Sequence, residues 1–104
     1  MPSKDLFIPL ITKHYNAFDD GSKVIEYRIH GPRWNVGTVW NDRPVTISKG
    51  YGKQNRLKGK VLYPQILSAS ELPLNVQQDI KEIYGEGDHE MICIHILLEK
   101  HNEY

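Results

Sequence analysis

The densest cluster of side chains capable of chemistry lies between Ser48 and Lys60, called here the basic segment. Five of its thirteen residues are Lys or Arg, three are Gly and one is Tyr. Lys and Arg neutralise phosphates, glycine lets a ligand approach the backbone, and an aromatic ring gives a base a surface to stack on. The segment lacks the Lys-Ser/Thr ending of a nucleotide-binding P-loop, which argues against an NTPase. We predict a loop that binds nucleic acid; the alternative is a solvated hairpin loop.

A second polar cluster, residues 21–28, places a carboxylate among cations. On a strand, Glu26 and Arg28 point to one face, whereas Lys23 points to the other unless a turn at Gly21 moves it. In a polar cleft, Glu26 can transfer protons while Lys23 or Arg28 stabilises a developing phosphate charge. On an open surface, the same residues form an ion pair of little energetic weight. Residue chemistry alone leaves both interpretations open.

The remaining reactive residue types give weaker signals. Trp34, beside Arg33, is a candidate stacking residue, although tryptophan more often belongs to a core or a lid. The histidines lack metal-site spacing, so no tightly bound metal is expected, but a loosely held Mg²⁺ leaves little trace in a sequence. Ser48 has no partner at a recognisable triad offset. Cys93 is the only cysteine, so an internal disulfide is impossible and burial is expected.

The formal net charge of zero hides an asymmetry along the chain. Residues 1–60 carry eleven Lys and Arg against five Asp and Glu, whereas residues 61–104 carry two against eight. This split predicts a basic face, or else charges scattered over the surface. The longest apolar run, Met91 to Leu98, is too short to span a bilayer, and the first residues do not resemble a secretory signal. We therefore expect a cytoplasmic protein with no membrane partner.

Hydrophobic periodicity predicts the order β-α-β-β-β-α-β within a single domain spanning residues 1–104. We expect a bend or interruption of the fourth strand at Pro64, and burial of the last strand on both faces. Short strands with long polar loops indicate a small, partly open barrel with flanking helices. The predicted strands cover residues 6–10, 23–29, 44–48, 60–67 and 89–98, and the helices cover residues 11–20 and 74–84.

Taken together, these segments resemble the ASCH (activating signal cointegrator homology) domain, in particular its compact bacterial and phage-type members. The likeness covers residues 8 to about 62, whereas residues 74–98 match only in pattern. Its most specific parts are the Gly-x-Lys-x-Ile-Glu-x-Arg run of residues 21–28 and the Gly-Tyr-Gly-Lys run of residues 50–53. The other matching parts are Ile8-Pro9-Leu10, Arg33-Trp34-Asn35 and Arg43-Pro44-Val45-Thr46-Ile47-Ser48.

The resemblance implies an α+β fold, a small PUA-like mixed β-barrel with two flanking helices. It also implies a cleft between barrel and helices for single-stranded or flipped nucleotides. Some bacterial ASCH proteins cleave single-stranded RNA with help from Mg²⁺, and others deacetylate N4-acetylcytidine with a Lys, a Thr and a downstream Glu. Lys23 matches that Lys, Glu26 stands at the Thr position, and Glu71 is the downstream candidate.

The residues and the resemblance together predict an RNA-binding protein with ribonuclease activity on single-stranded RNA. The alternatives are an N4-acetylcytidine-type amidohydrolase and a non-catalytic RNA-binding module. We expect a monomer or weak dimer without a tightly bound cofactor, with Mg²⁺ as the ion that would assist activity. The predicted catalytic residues are Lys23 and Glu26, and the predicted RNA-binding residues are Arg28, Arg33, Trp34, Ser48, Lys49, Tyr51, Lys53 and Arg56.

Overall fold

Five strands form one sheet that curls into a half-barrel, with two helices packed beside it, in a computed structural model that describes residues 4–99. Residues 1–3 and 100–104 lie outside the described residues. They include His101 and the first residues of the N-terminus, where a secretory signal would begin. The elements are β1 (Leu6–Leu10), α1 (Thr12–Asp19), β2 (Ile25–Ile29), β3 (Pro44–Lys49), β4 (Arg56–Ser68), a 3₁₀ turn (Ala69–Glu71), α2 (Leu74–Tyr84) and β5 (Glu90–Leu98).

The sheet is mixed, and its strand order is β1-β3-β4-β5-β2. β1 runs parallel to β3, and every other neighbouring pair is antiparallel. The two edges of the curled sheet are therefore β1 and β2, which are the first two strands of the chain. The predicted small mixed barrel with two flanking helices is confirmed. Within residues 4–99, no helix has the length and apolar character needed to cross a bilayer.

Two hydrophobic clusters hold the fold together. The larger lies inside the half-barrel and includes Ile8, Phe18 and Ile47, whereas the smaller includes Ile80 of α2 and Cys93. β5 supplies both clusters, so it is buried on both faces, as its almost uninterrupted apolar sequence predicts. Burial raises the pKa of the Cys93 thiol. This cysteine is a core residue, in agreement with the sequence-based expectation.

Two predicted strand boundaries are wrong, and both errors bear on the site. β2 begins at Ile25 because the preceding residues remain in a turn, where the Lys23 amide donates to the carbonyl of Ala17. β4 begins at Arg56 rather than at residue 60. The end of the basic segment is therefore strand and not loop.

The fourth strand is not interrupted at Pro64. Its pairing with β5 shifts between Val61 and Tyr63, and Pro64 then pairs with Ile94. The pairing with β3 ends at Lys60, so β4 has only one neighbour at the position of the proline. A residue without an N–H group is tolerated there because only one side of the strand needs its hydrogen bonds.

Candidate functional site

The curled sheet leaves a seam between its edge strands β1 and β2, and the candidate site lies at this seam. Arg28 of β2 crosses the seam, because its Nη2 donates to the carbonyl of Pro9 in β1 at 3.0 Å. A cavity of about 210 Å³, called here the inner cavity, opens beside this contact and is flanked by α1 and α2. Its lining consists of Pro9, Leu10, Ile11, His14, Lys23, Glu26, Tyr27, Arg28, Val76, Asp79, Ile80, Ile83 and Tyr84.

A buried carboxylate between two cations forms the polar wall of the inner cavity. Glu26 is only 5% exposed. Its Oε1 lies 3.2 Å from Lys23 Nζ, and its Oε2 accepts from Arg28 Nε at 2.9 Å. Charge-assisted hydrogen bonds to both oxygens offset the cost of burying the carboxylate. The turn before β2 brings Lys23 to the face that Glu26 and Arg28 share, which resolves the alternative left open by the sequence in favour of a cleft.

His14 of α1 extends this network. Its Nδ1 lies 3.2 Å from Lys23 Nζ. An ammonium group only donates, so Nδ1 accepts and the proton of the neutral ring is on Nε2. Burial and the Lys23 charge lower the pKa of His14, which favours this neutral form. Sequence reasoning missed His14 because its contact with Lys23 depends on the turn between α1 and β2.

The opposite wall of the inner cavity is apolar and aromatic. Leu10 and Ile11 contribute from the β1–α1 side, and Ile80, Ile83 and Tyr84 contribute from α2. Burial raises the pKa of the Tyr84 hydroxyl and of the Tyr27 hydroxyl, so both remain neutral hydrogen-bond donors. Apolar walls combined with a few polar groups suit a planar heterocycle such as an unstacked base.

The loop that joins β3 to β4 lies next to this cavity without lining it. The Gly50 amide donates to the carbonyl of Leu10 at 2.8 Å, which fixes the start of the loop against the wall of the cavity. Tyr51 is 80% exposed, and its ring centroid lies 6.1 Å from that of Phe7. Arg56 places its guanidinium carbon 5.2 Å from the same Phe7 ring. Lys53 is exposed and Lys49 is half-buried, so this loop presents cations and aromatic rings beside the cleft.

Three residues of the basic segment shape the chain instead of facing solvent. Ser48 is fully buried, and its hydroxyl donates to the carbonyl of Gly52. Gly50 adopts φ +65°, a left-handed conformation that favours glycine. Gly59 lies in β4, where an added Cβ would clash with the carbonyl oxygen of Leu97. The sequence predicts that these glycines let a phosphate approach the backbone. This expectation is wrong for Gly50, whose amide donates to Leu10, and for Gly59, which packs against β5.

Trp34 supports the cleft from behind. It packs against the main core, and the Arg28 guanidinium carbon lies 4.8 Å from the centre of its ring system. The guanidinium of exposed Arg33 lies 5.6 Å from the same rings. The indole therefore contacts the guanidinium groups of both Arg28 and Arg33, and it does not line the inner cavity.

The carboxylate that α2 brings to the cleft is Asp79 and not the sequence candidate, Glu71. Glu71 is exposed and accepts from the Ser68 amide at the start of the 3₁₀ turn, away from the inner cavity. Asp79 lines the inner cavity and pairs with Lys13 of α1 at 3.4 Å. Helical periodicity shows which residues share a face of α2 but not which end of that face meets the seam, so no sequence pattern points to Asp79.

The cleft does not fit a resident Mg²⁺ ion. Its two carboxylates, Glu26 and Asp79, already pair with lysine or arginine, whereas Mg²⁺ requires free oxygen ligands in near-octahedral geometry. Among residues 4–99, no group of three or more His, Cys, Asp or Glu is placed to hold a metal ion. The expected help from Mg²⁺ stays a prediction.

A larger cavity, of about 470 Å³, lies between α2, the 3₁₀ turn and residues 85–88. Its charged lining is mainly acidic, with Glu86 and Asp88 against Lys81 alone. Lys81 pairs with Glu86 at 3.0 Å, and Asp88 accepts from the amide and hydroxyl of Ser70. With two carboxylates against one lysine, this cavity does not favour a phosphate, so we place the candidate site at the seam.

No family model matches the sequence, and no curated protein matches it. Among solved structures, the chain is similar to the crystal structure of a point mutant of ZmASCH from Zymomonas mobilis, with 15% sequence identity and a TM-score of 0.65. The similarity covers 92% of this chain and 69% of that chain. At this identity, the comparison shows the fold and not the chemistry. The chain therefore has the fold of an ASCH-domain protein, the half-barrel with two helices that the motifs of residues 8–62 predict.

Proposed function

We propose that this protein is an ASCH-family member that binds single-stranded RNA at the seam of the half-barrel and cleaves it there. One observation carries the proposal: Glu26 is buried between Lys23 and Arg28 in the polar wall of the inner cavity, next to the exposed loop that joins β3 to β4. A base would enter the inner cavity and contact Tyr27 or Tyr84. The adjoining backbone would cross Leu10 toward the loop, where Lys49, Lys53 and Arg56 would meet phosphates and Tyr51 would stack on a neighbouring base.

The network supplies each group that metal-independent cleavage requires. The Glu26 carboxylate accepts the proton of the ribose 2′-hydroxyl, whose oxygen then forms a bond to the adjacent phosphorus. The bond from phosphorus to the 5′-oxygen breaks, and the Lys23 ammonium donates a proton to that leaving oxygen. Arg28 stabilises the negative charge on the phosphoryl oxygens. A proton then passes from Glu26 to Lys23 across their 3.2 Å contact, which restores both groups.

Cleavage of labelled single-stranded RNA by the full chain tests the proposal. We expect products that end in a 2′,3′-cyclic phosphate, formed with and without EDTA, and no cleavage of the matching 2′-deoxy oligonucleotide. Lys23→Ala and Glu26→Gln should each slow cleavage about 100-fold or more, the usual contribution of proton transfer. Lys60→Ala is the control, because Lys60 also pairs with a carboxylate, Asp42, but lies outside the cleft.

Two results would contradict ribonuclease activity: intact RNA with and without Mg²⁺, or equal cleavage by wild type and Lys23→Ala. If RNA remained intact but bound with an affinity that falls steeply with salt, the non-catalytic binding module would replace the nuclease.

A second candidate function is amide hydrolysis on a modified base. The supporting observation is the size of the inner cavity. At about 210 Å³ it is smaller than the roughly 300–1,000 Å³ of drug-sized sites, and this volume suits one modified base more than a longer ligand. Lys23 faces Glu26 in this cavity. Asp79 also lines it, whereas Glu71, the candidate from the resemblance, does not. Incubation with N4-acetylcytidine decides the matter, because acetate release that Lys23→Ala abolishes would favour this activity over RNA cleavage.

A further inference from the structure

A second cavity adjoins the inner one on the side facing α1 and the turn before β2. This outer cavity has a volume of about 350 Å³. Both cavities share five lining residues, so they form two compartments of one groove between the helices. The shared residues are His14, Lys23, Tyr27, Val76 and Asp79.

The two compartments differ in chemistry. The inner one is walled by Leu10, Ile80 and Ile83. The outer one adds three polar residues that the inner one lacks, namely Lys13, Ser22 and Asn75, all of them exposed. Lys23 lies at the boundary between the two. A groove with an apolar end, a central cation and a polar end matches a base followed by its ribose and phosphate.

An ion pair spans the outer part of the groove. Lys13 of α1 meets Asp79 of α2 at 3.4 Å, and the lysine side chain is 68% exposed. Such a pair is weak, because solvent screens it and two side chains must be ordered to form it. A phosphate that binds in the groove can therefore replace Asp79 as the partner of Lys13 at little cost in free energy.

We propose that the outer cavity is a second subsite, which takes the phosphate and the adjoining nucleotide next to a base held in the inner cavity. Lys13 is its phosphate ligand, and Asp79 competes with the phosphate for Lys13 in the free protein. The preferred short ligand is then a dinucleotide and not a nucleoside. This inference rests on the proposed function, since it assumes RNA in the inner cavity.

Binding of nucleosides and dinucleoside monophosphates of each of the four bases tests the second subsite. In ¹⁵N–¹H NMR titrations of the full chain, nucleosides should shift the amides of Leu10 and Ile83, whereas dinucleotides should also shift those of Ser22 and Asn75. We expect dinucleotides to bind at least about threefold more tightly, as one exposed phosphate contact provides.

Two variants should change dinucleotide affinity in opposite directions. Lys13→Ala should weaken dinucleotide binding about threefold, and Asp79→Asn should strengthen it by a similar factor, with nucleoside binding unchanged in Lys13→Ala. An ion pair with only a structural role would make both variants weaken binding. Lys60→Ala is the matched control, because Lys60 also forms an exposed 3.4 Å ion pair, with Asp42.

The outcomes separate this inference from the proposed function. If nucleosides and dinucleotides bound equally, or if Lys13→Ala behaved like Lys60→Ala, the second subsite would be refuted while RNA binding at the seam survived. Absence of binding by every nucleoside, dinucleotide and longer RNA would overturn both proposals.

Discussion

The cleft residues 23–28 and the basic segment 48–60 both combine Lys, Arg and Tyr, but they differ in how the structure holds their charges. In the cleft, Glu26 is almost fully buried, and each of its oxygens has a cationic partner. In the loop, Tyr51, Lys53 and Arg56 are exposed. The cleft charges are buried and held in ion pairs before any ligand arrives, whereas the loop charges are exposed to solvent and less constrained.

This difference indicates a division of labour. Groups that transfer protons need fixed geometry, because small displacements slow a reaction strongly. Groups that attract a phosphate backbone need only charge and reach, because this attraction is independent of base sequence. The cleft therefore suits chemistry and the loop suits capture, and the following variants test that contrast from the largest expected effect to the smallest.

Removing the central carboxylate should have the largest effect on stability. Glu26→Ala leaves Lys23 and Arg28 facing each other with little solvent, and breaking a buried ion pair in this way costs about 3 kcal/mol. Lys53→Ala should change the free energy of unfolding by less than about 0.5 kcal/mol, because Lys53 is an exposed loop residue. Urea unfolding of both variants measures the difference. Equal stability losses would show that the cleft network is no more fixed than the loop, and Glu26→Gln covers the case in which Glu26→Ala does not fold.

Two glycines of the basic segment lie on opposite sides of the start of β4, one in the loop and one in the strand, and their stability effects should differ. Gly59→Ala places a methyl group against the Leu97 carbonyl, and we expect a loss of about 2 kcal/mol, since backbone atoms yield little to overpacking. Gly52 has no neighbouring atom within 4 Å of an added Cβ, so Gly52→Ala should leave stability unchanged or raise it by up to about 0.5 kcal/mol. Thermal unfolding of the two variants makes the comparison. A destabilised Gly52→Ala would argue against an open loop.

The order of the elements is predictable from the sequence because each has a strong local pattern. The apolar runs of β1 and β5 indicate their positions, and Gly85 marks the end of α2. The start of β4 is different, because residues 56–60 read locally as a polar loop. They are strand because β3 pairs with them, from Ser48 opposite Arg56 to Pro44 opposite Lys60. That pairing is a tertiary effect, which local composition does not encode.

The site is predictable in part, for a similar reason. Glu26 and Arg28 share a face because strand geometry requires it, and their types already suggest chemistry. The contacts of His14 and Asp79 depend on how the two helices approach the seam, and neither residue has a distinguishing neighbour in the sequence. Ser48 and Tyr51 illustrate the converse: both belong to one polar run, but one is fully buried and the other is 80% exposed.

The loop cations should contribute additively and modestly to RNA affinity. Lys53→Ala and Arg56→Ala should each weaken binding of single-stranded RNA about twofold to fivefold and lower the slope of log affinity against log salt by about one. Lys60→Ala should do neither, although it belongs to the same basic segment, because Lys60 lies four residues along β4 and away from the loop, whereas Arg56 is the first residue of that strand. Fluorescence anisotropy over a range of salt concentrations measures both quantities. If the three variants had equal effects, net charge and not the loop would control capture.

The smallest expected effect is a pH dependence that belongs to the cleft alone. The basic segment has no histidine, whereas burial and the Lys23 charge lower the pKa of His14 below its ordinary 6.5. The unfolded chain then binds more protons than the folded one, so this contribution to stability is complete above pH 6.5 and is lost as pH falls through the lowered pKa. Burial lowers the pKa of His95 in the same direction. His14→Gln should therefore flatten the rise of unfolding free energy with pH without removing it, and His14→Gln with His95→Gln should flatten it further. A pH profile unchanged by His14→Gln would mean that the ring is not held neutral beside Lys23. The contact from α1 would then not contribute to the fixed geometry of the cleft.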